Sequence, residues 1–160
     1  MKKISFIFLI AFLSVFIISC PYQGEISMLE NTDAYISPEK EQYQVNETFN
    51  LHFTCIPDFS YYQKYAFGIF LEEYDEQEKK YKSTSNISCC DSETGEEIQG
   101  FDYEEKNTQD ASKVSKIFFI KPTDQGKFFV RIFGSGYHYN DRGGSTATTY
   151  EKKFYFSVSK

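Results

Sequence analysis

From Thr48 to Cys55 the chain alternates without a break. Phe49, Leu51, Phe53 and Cys55 fall on one side of an extended strand, and Thr48, Asn50, His52 and Thr54 on the other. A period of two over eight residues cannot bury one face of a helix, so this segment has to be a strand with one face in a core. Pro57 and Asp58 end it. The same rhythm recurs along the chain. Ala34–Ser37 stops at Pro38. Lys64–Tyr74 puts Tyr65, Phe67, Ile69 and Leu71 on one face. Val114–Lys121 ends at Pro122, Lys127–Phe133 turns Phe128, Val130 and Ile132 inward, and Tyr150–Ser159 does so with Phe154, Phe156 and Val158. Asp75-Glu76-Gln77-Glu78 makes a turn from which Lys80–Cys89 is expected to pair back as a hairpin, and Glu96–Tyr103 reads as a short edge strand. No helical stripe of useful length and no internal repeat interrupts the pattern. Short alternating strands divided by turn residues predict an all-β chain, an antiparallel β-sandwich. The 13 Tyr and 17 Phe, with no Trp, fit strands in the same way.

The N-terminus is of another kind. Lys2 and Lys3 precede an apolar run from Ile4 to Ile18, too short to span a bilayer as a helix, and the small residue Ser19 follows before Cys20. This is the layout of a secretory signal. Ile17-Ile18-Ser19-Cys20 resembles the lipobox of bacterial lipoproteins. That resemblance implies a signal peptide over 1–19, diacylglycerol on the thiol of Cys20, and a lipidated tether over 20–31. It also implies attachment to the bacterial cell membrane or outer membrane, facing the periplasm or the cell exterior. Residues 32–160 are left as the folded domain. The two lysines of the signal leave with it, which takes the formal charge from −6 to −8. That balance excludes nucleic acid as a partner, and the membrane is reached through the acyl chains and not through basic residues.

Lys121-Pro122-Thr123-Asp124-Gln125-Gly126-Lys127-Phe128 joins two of the strands. It resembles the Asp-x-Gly-x-Tyr corner of immunoglobulin-like domains, with Gly126 giving a permissive backbone, Asp124 bonding its own turn and Phe128 in place of the tyrosine. The cysteine of the antibody-type disulfide is here Val130. The resemblance implies an immunoglobulin-like sandwich of about seven strands, on the cysteine-poor bacterial side of that superfamily. In such a layout Cys55 ends its strand at the end where a hairpin brings Cys89 and Cys90 back, so a disulfide from Cys55 to one of that pair is expected. An exported compartment permits it.

No motif names a reaction. Gly134-Ser135-Gly136 is not a nucleophile elbow, and Glu72-Glu73, Glu96-Glu97 and Glu104-Glu105 are adjacent pairs that point to opposite faces of a strand. His52 lies on a polar strand face, Cys55, Cys89 and Cys90 lack metal-ligand spacing, and no cofactor or metal is expected. The chain is therefore read as a non-enzymatic binding or interaction module with a protein partner. A small protease inhibitor, or an accessory subunit of an envelope enzyme or transporter, stands as the alternative. The candidate ligand-binding residues are Tyr61 and Tyr62 in one connection and Tyr137, His138, Tyr139 and Arg142 in a second. An immunoglobulin-like sandwich brings these two loops to the same end, and tyrosine supplies contact area at low entropic cost.

Overall fold

The computed structural model describes residues 32–57, 59, 62–104 and 113–160. These form ten strands: β1 (Asp33–Ser37), β2 (Gln42–Gln44), β3 (Phe49–Cys55), β4 (Lys64–Asp75), β5 (Lys80–Ser83), β6 (Ile87–Asp91), β7 (Gly100–Glu104), β8 (Val114–Pro122), β9 (Gly126–Asn140) and β10 (Gly143–Ser159). One sheet has the order β1-β3-β8-β6. The other has the order β2-β10-β9-β4-β5, and β7 pairs with the start of β4 on the same edge as β5. Every pairing is antiparallel except β2 with β10. The fold is an immunoglobulin-like antiparallel β-sandwich. Ten strands replace the expected seven because the first strand divides between the sheets as β1 and β2, because the stretch expected as one strand over Lys80–Cys89 divides between the sheets as β5 and β6, and because the chain between β6 and β8 crosses to the other sheet to make β7.

The core follows the alternation. Phe49, Leu51, Phe53, Phe67, Ile69, Phe118, Phe128, Val130, Ile132 and Phe156, inward residues of five strands, are all buried. Tyr43 joins them: its ring stacks on Phe49 at 4.2 Å and its hydroxyl donates to the Pro38 carbonyl. At the corner before β9, the Asp124 carboxylate accepts the Gln125 N–H at 2.7 Å, and Phe128 stacks on Phe156 at 6.0 Å. Gly126 is not in the left-handed region; its reason is space, since a Cβ there would stand 2.9 Å from Glu73 Oε1. That carboxylate is itself held, its Oε2 accepting from Thr84 Oγ1 at 2.9 Å and Asn86 Nδ2 at 2.8 Å.

The hairpin expected over Lys80–Cys89 is shorter. Only Lys80–Ser83 pairs with β4, and the chain then crosses at Thr84–Asn86 to the opposite sheet, where Ile87–Asp91 pairs with β8. This overturns the expected disulfide. Cys55 lies opposite Val114 and Cys89 opposite Ile120, so the two are six residues apart along β8. That is about 20 Å of strand, against a limit of ~7 Å for bonding. Cys55, Cys89 and Cys90 are free thiols. Cys55 and Cys89 point into the core, and burial pushes both up to about 12. Cys90 points the other way, beside Phe119 on the outer face, and is half-buried. In the native protein an alkylating reagent is therefore expected to label Cys90 and to reach Cys55 and Cys89 only after unfolding. Peptide mapping by mass spectrometry checks this, and a peptide linked through Cys55 to Cys89 or Cys90 would sink it.

Candidate functional site

The structure brings the two tyrosine segments to one end. The Gln63 N–H donates to the Tyr137 carbonyl and its Oε1 accepts from the Tyr139 N–H, both at 2.9 Å. Residue 63 therefore ties the connection between β3 and β4 to β9. Tyr62 lies flat against Gly136, where a Cβ would come within 2.7–2.9 Å of its ring, and packs edge-on to Tyr65 at 5.6 Å. Tyr62 is half-buried and closes the top of the core. Tyr61 lies outside the described residues.

The second segment is not the expected loop. Residues 137–144 continue β9 and β10 as a paired hairpin whose turn is only Asp141-Arg142, with Asn140 opposite Gly143. Gly143 has φ +122°, a conformation that side chains avoid. Pairing imposes alternation. Tyr137 and Tyr139 stand on the outer face of the sheet and His138 on the other, so the three do not converge. Tyr139 is 55% exposed, and its ring lies close over Gly144. Tyr137 and His138 are half-buried, and Arg142 is exposed in the turn.

A larger surface lies on the outer face of the β4–β9–β10 sheet, and none of its residues was among the expected binding positions. Alternate residues carry an aromatic row across four strands: Phe70 and Tyr74 on β4, Tyr81 on β5, Phe129 and Phe133 on β9, and Tyr155 on β10. Tyr155 stacks on Phe129 at 4.8 Å. Tyr81 meets Phe129 at 5.5 Å, Tyr155 at 5.8 Å and Tyr74 at 5.2 Å. The Arg131 guanidinium sits 4.4 Å from the centre of Phe70 and 5.7 Å from that of Phe133, and pairs with Glu151 at 3.3 Å. Lys127 covers Tyr74 at 5.4 Å and pairs with Glu76 at 2.7 Å. Tyr155 is 59% exposed and Phe70 40%. These two rings remain in water although the core is closed beneath them, and Tyr155 and Tyr81 cover Phe129, which is only 7% exposed. The signal was present in the sequence: Phe128-Phe129 and Phe154-Tyr155-Phe156 are apolar at both parities, which a strand with one wet face does not need.

Among the described residues no group of three or more His, Cys, Asp or Glu side chains is placed to hold a metal ion. The two core thiols are held protonated at neutral pH. His52 stacks on Tyr35 at 4.5 Å, on the outer face of the other sheet.

No family model matches the chain, and no curated protein does. Among solved structures it is similar to AggA, the major subunit of aggregative adherence fimbriae type I from Escherichia coli. The TM-score is 0.42 at 8% identity, over 82% of this chain and 98% of that one. It is similar to AvmM, which catalyses macrocyclisation in alchivemycin A biosynthesis, with a TM-score of 0.42 at 8% identity over 81% and 89%. A cohesin module of a family 33 glycoside hydrolase from Clostridium perfringens gives 0.39 at 6% identity over 79% and 96%. Likenesses this distant carry no functional argument.

Proposed function

We propose that this chain is a non-enzymatic binding module of the bacterial cell envelope, held to a membrane by lipid on Cys20, and that a protein partner docks on the outer face of the β4–β9–β10 sheet. One observation carries the reading: the aromatic row of Phe70, Tyr81, Phe129 and Tyr155 lies on a face where the fold needs no aromatic residue, with Arg131 and Lys127 set over the rings. Aromatic and Arg side chains at the centre of a patch, with charged pairs at its edge, are the composition of an interface centre.

The test is capture of partners from solubilised envelope by the whole chain, with two paired variants. Tyr155→Ser with Phe70→Ser is expected to weaken capture at least tenfold while leaving the unfolding midpoint nearly unchanged. Tyr137→Ser with Tyr139→Ser, at the hairpin, is expected to weaken it less. The reverse order would move the site to the tyrosine end. Specific capture unaffected by either pair would refute both surfaces.

A further inference from the structure

The hairpin of β9 and β10 leaves an open sheet edge. Among the described residues only β2 pairs with the far side of β10, and only at Ser157–Ser159. From Gly143 to Thr148 that side has no described strand beside it, and Gly143–Ala147 are exposed. The backbone direction is fixed by the contacts to residue 63. Tyr137 and Tyr139 turn their peptide groups toward β4, so their cross-strand partners Thr146 and Gly144 turn theirs away from β9. By alternation Thr148 does the same. Three residues thus offer three N–H donors and three carbonyls in a row.

Among the described residues the other edges are guarded, and this one is not. The free side of β6 is covered by Glu96–Ile98, which bonds back to Cys89 and Asp91. β5 carries Lys80 and Lys82, and β7 carries Asp102 and Glu104, both paired with Lys64. β1 and β2 are five and three residues long. Gly-Gly-Ser-Thr-Ala-Thr has no charge, no proline and no large side chain.

We propose that this edge pairs with the same edge of a second copy of the chain, antiparallel about a two-fold axis through Thr146. Thr146 then faces Thr146 of the second copy, Gly144 faces Thr148, and Ser145 faces Ala147. Two features favour a copy over a foreign peptide. A peptide added to an edge is selected by side-chain pockets next to it, and Gly144, Ser145, Thr146 and Ala147 build none. The chain carries a formal charge of −6, so most of its surface repels a copy, while this strip is neutral. The contact is smaller than the ~1,000 Å² of a stable interface, so the dimer is weak and depends on concentration. The proposal does not rest on the aromatic face: it uses the edge of the sheet and would survive failure of the capture experiment.

Cysteine cross-linking of the whole chain tests the register, in a Cys90→Ser background. A hydrogen-bonded antiparallel pair holds its Cα atoms about 5.5 Å apart, within disulfide range. Thr146→Cys is expected to give a covalent dimer on mild oxidation. Thr148→Cys would stand about 13 Å from its own copy, four residues out of register, and is expected to stay monomeric. Thr146→Pro, which removes a donor from the edge, is expected to abolish the concentration dependence of sedimentation while the fold persists. Cross-linking of neither cysteine variant, or of both equally, overturns the proposal. So does a sedimenting monomer whose Gly144, Thr146 and Thr148 amides resist hydrogen exchange, because the edge would then be covered by another segment of the same chain.

Discussion

Phe53→Ala is expected to cost about 3–5 kcal/mol of folding stability. Phe53 is fully buried on β3, where three elements of the other sheet meet it: Phe67 of β4 at 4.8 Å, Phe101 of β7 at 5.2 Å and Tyr150 of β10 at 6.1 Å. The upper part of that range applies when the neighbours cannot collapse into the void. Here they are fixed. Phe67 lies against Gly134, where a Cβ would come within 2.6 Å of the ring, and Phe101 is stacked between Phe67 at 5.1 Å and Phe118 at 5.5 Å. The Tyr103 hydroxyl at this level of the core is buried with no hydrogen-bond partner among the described residues, so relaxation there gains little. Urea unfolding measures the loss, with an unchanged slope showing that the denatured state is the same. Phe119→Ala on the outer face, 41% exposed, is the control and should change stability by less than about 1 kcal/mol. A loss at Phe53 as small as at Phe119 would mean that the two sheets are not packed through this ring.

What the sequence disclosed was local. A period of two is a property of neighbouring residues, so β3, β4, β8 and the lower half of β9 could be placed from Phe49, Phe67, Phe118 and Phe128 alone. The crossing after β5 could not. Lys80 to Cys89 reads as one extended stretch, and what divides it is the carboxylate of Glu73 bonding Thr84 and Asn86, a contact made only once β4 is in place. The disulfide expectation failed with it, because Cys89 ended on the sheet opposite to the one assumed. The hairpin was hidden by composition. Gly134, Gly136, Gly143 and Gly144 read as loop signals, yet two of them are there to admit the rings of Phe67 and Tyr62 against a strand. The outer aromatic row was passed over because alternation assigns one parity to the core and leaves the other unread.

Cys20→Ala is the variant with the largest expected effect on location: from membrane-bound to released, with no change in the unfolding of residues 32–160. The argument is geometric as well as chemical. Asp33, the first residue of β1, pairs with Lys152 at 2.7 Å and lies opposite Thr54 in register, next to Cys55. The chain therefore enters the domain at the end that carries Tyr62 and Tyr139. Twelve residues from Cys20 to Asn31 reach at most ~40 Å when extended. An anchor at Cys20 would hold this end near the bilayer and leave the outer face of the β4–β9–β10 sheet side-on to it, open to a partner in the same membrane or beside it. Two or more acyl chains are needed to hold a domain of this charge, so loss of the thiol should release it even at low salt. Fractionation of cells with a high-salt wash, alongside a blot for uncleaved signal, reads the outcome. A Cys20→Ala chain that is fully processed and still sediments with the membrane would show that something other than lipid holds it, and the outer aromatic face would then be the first surface to examine for that attachment.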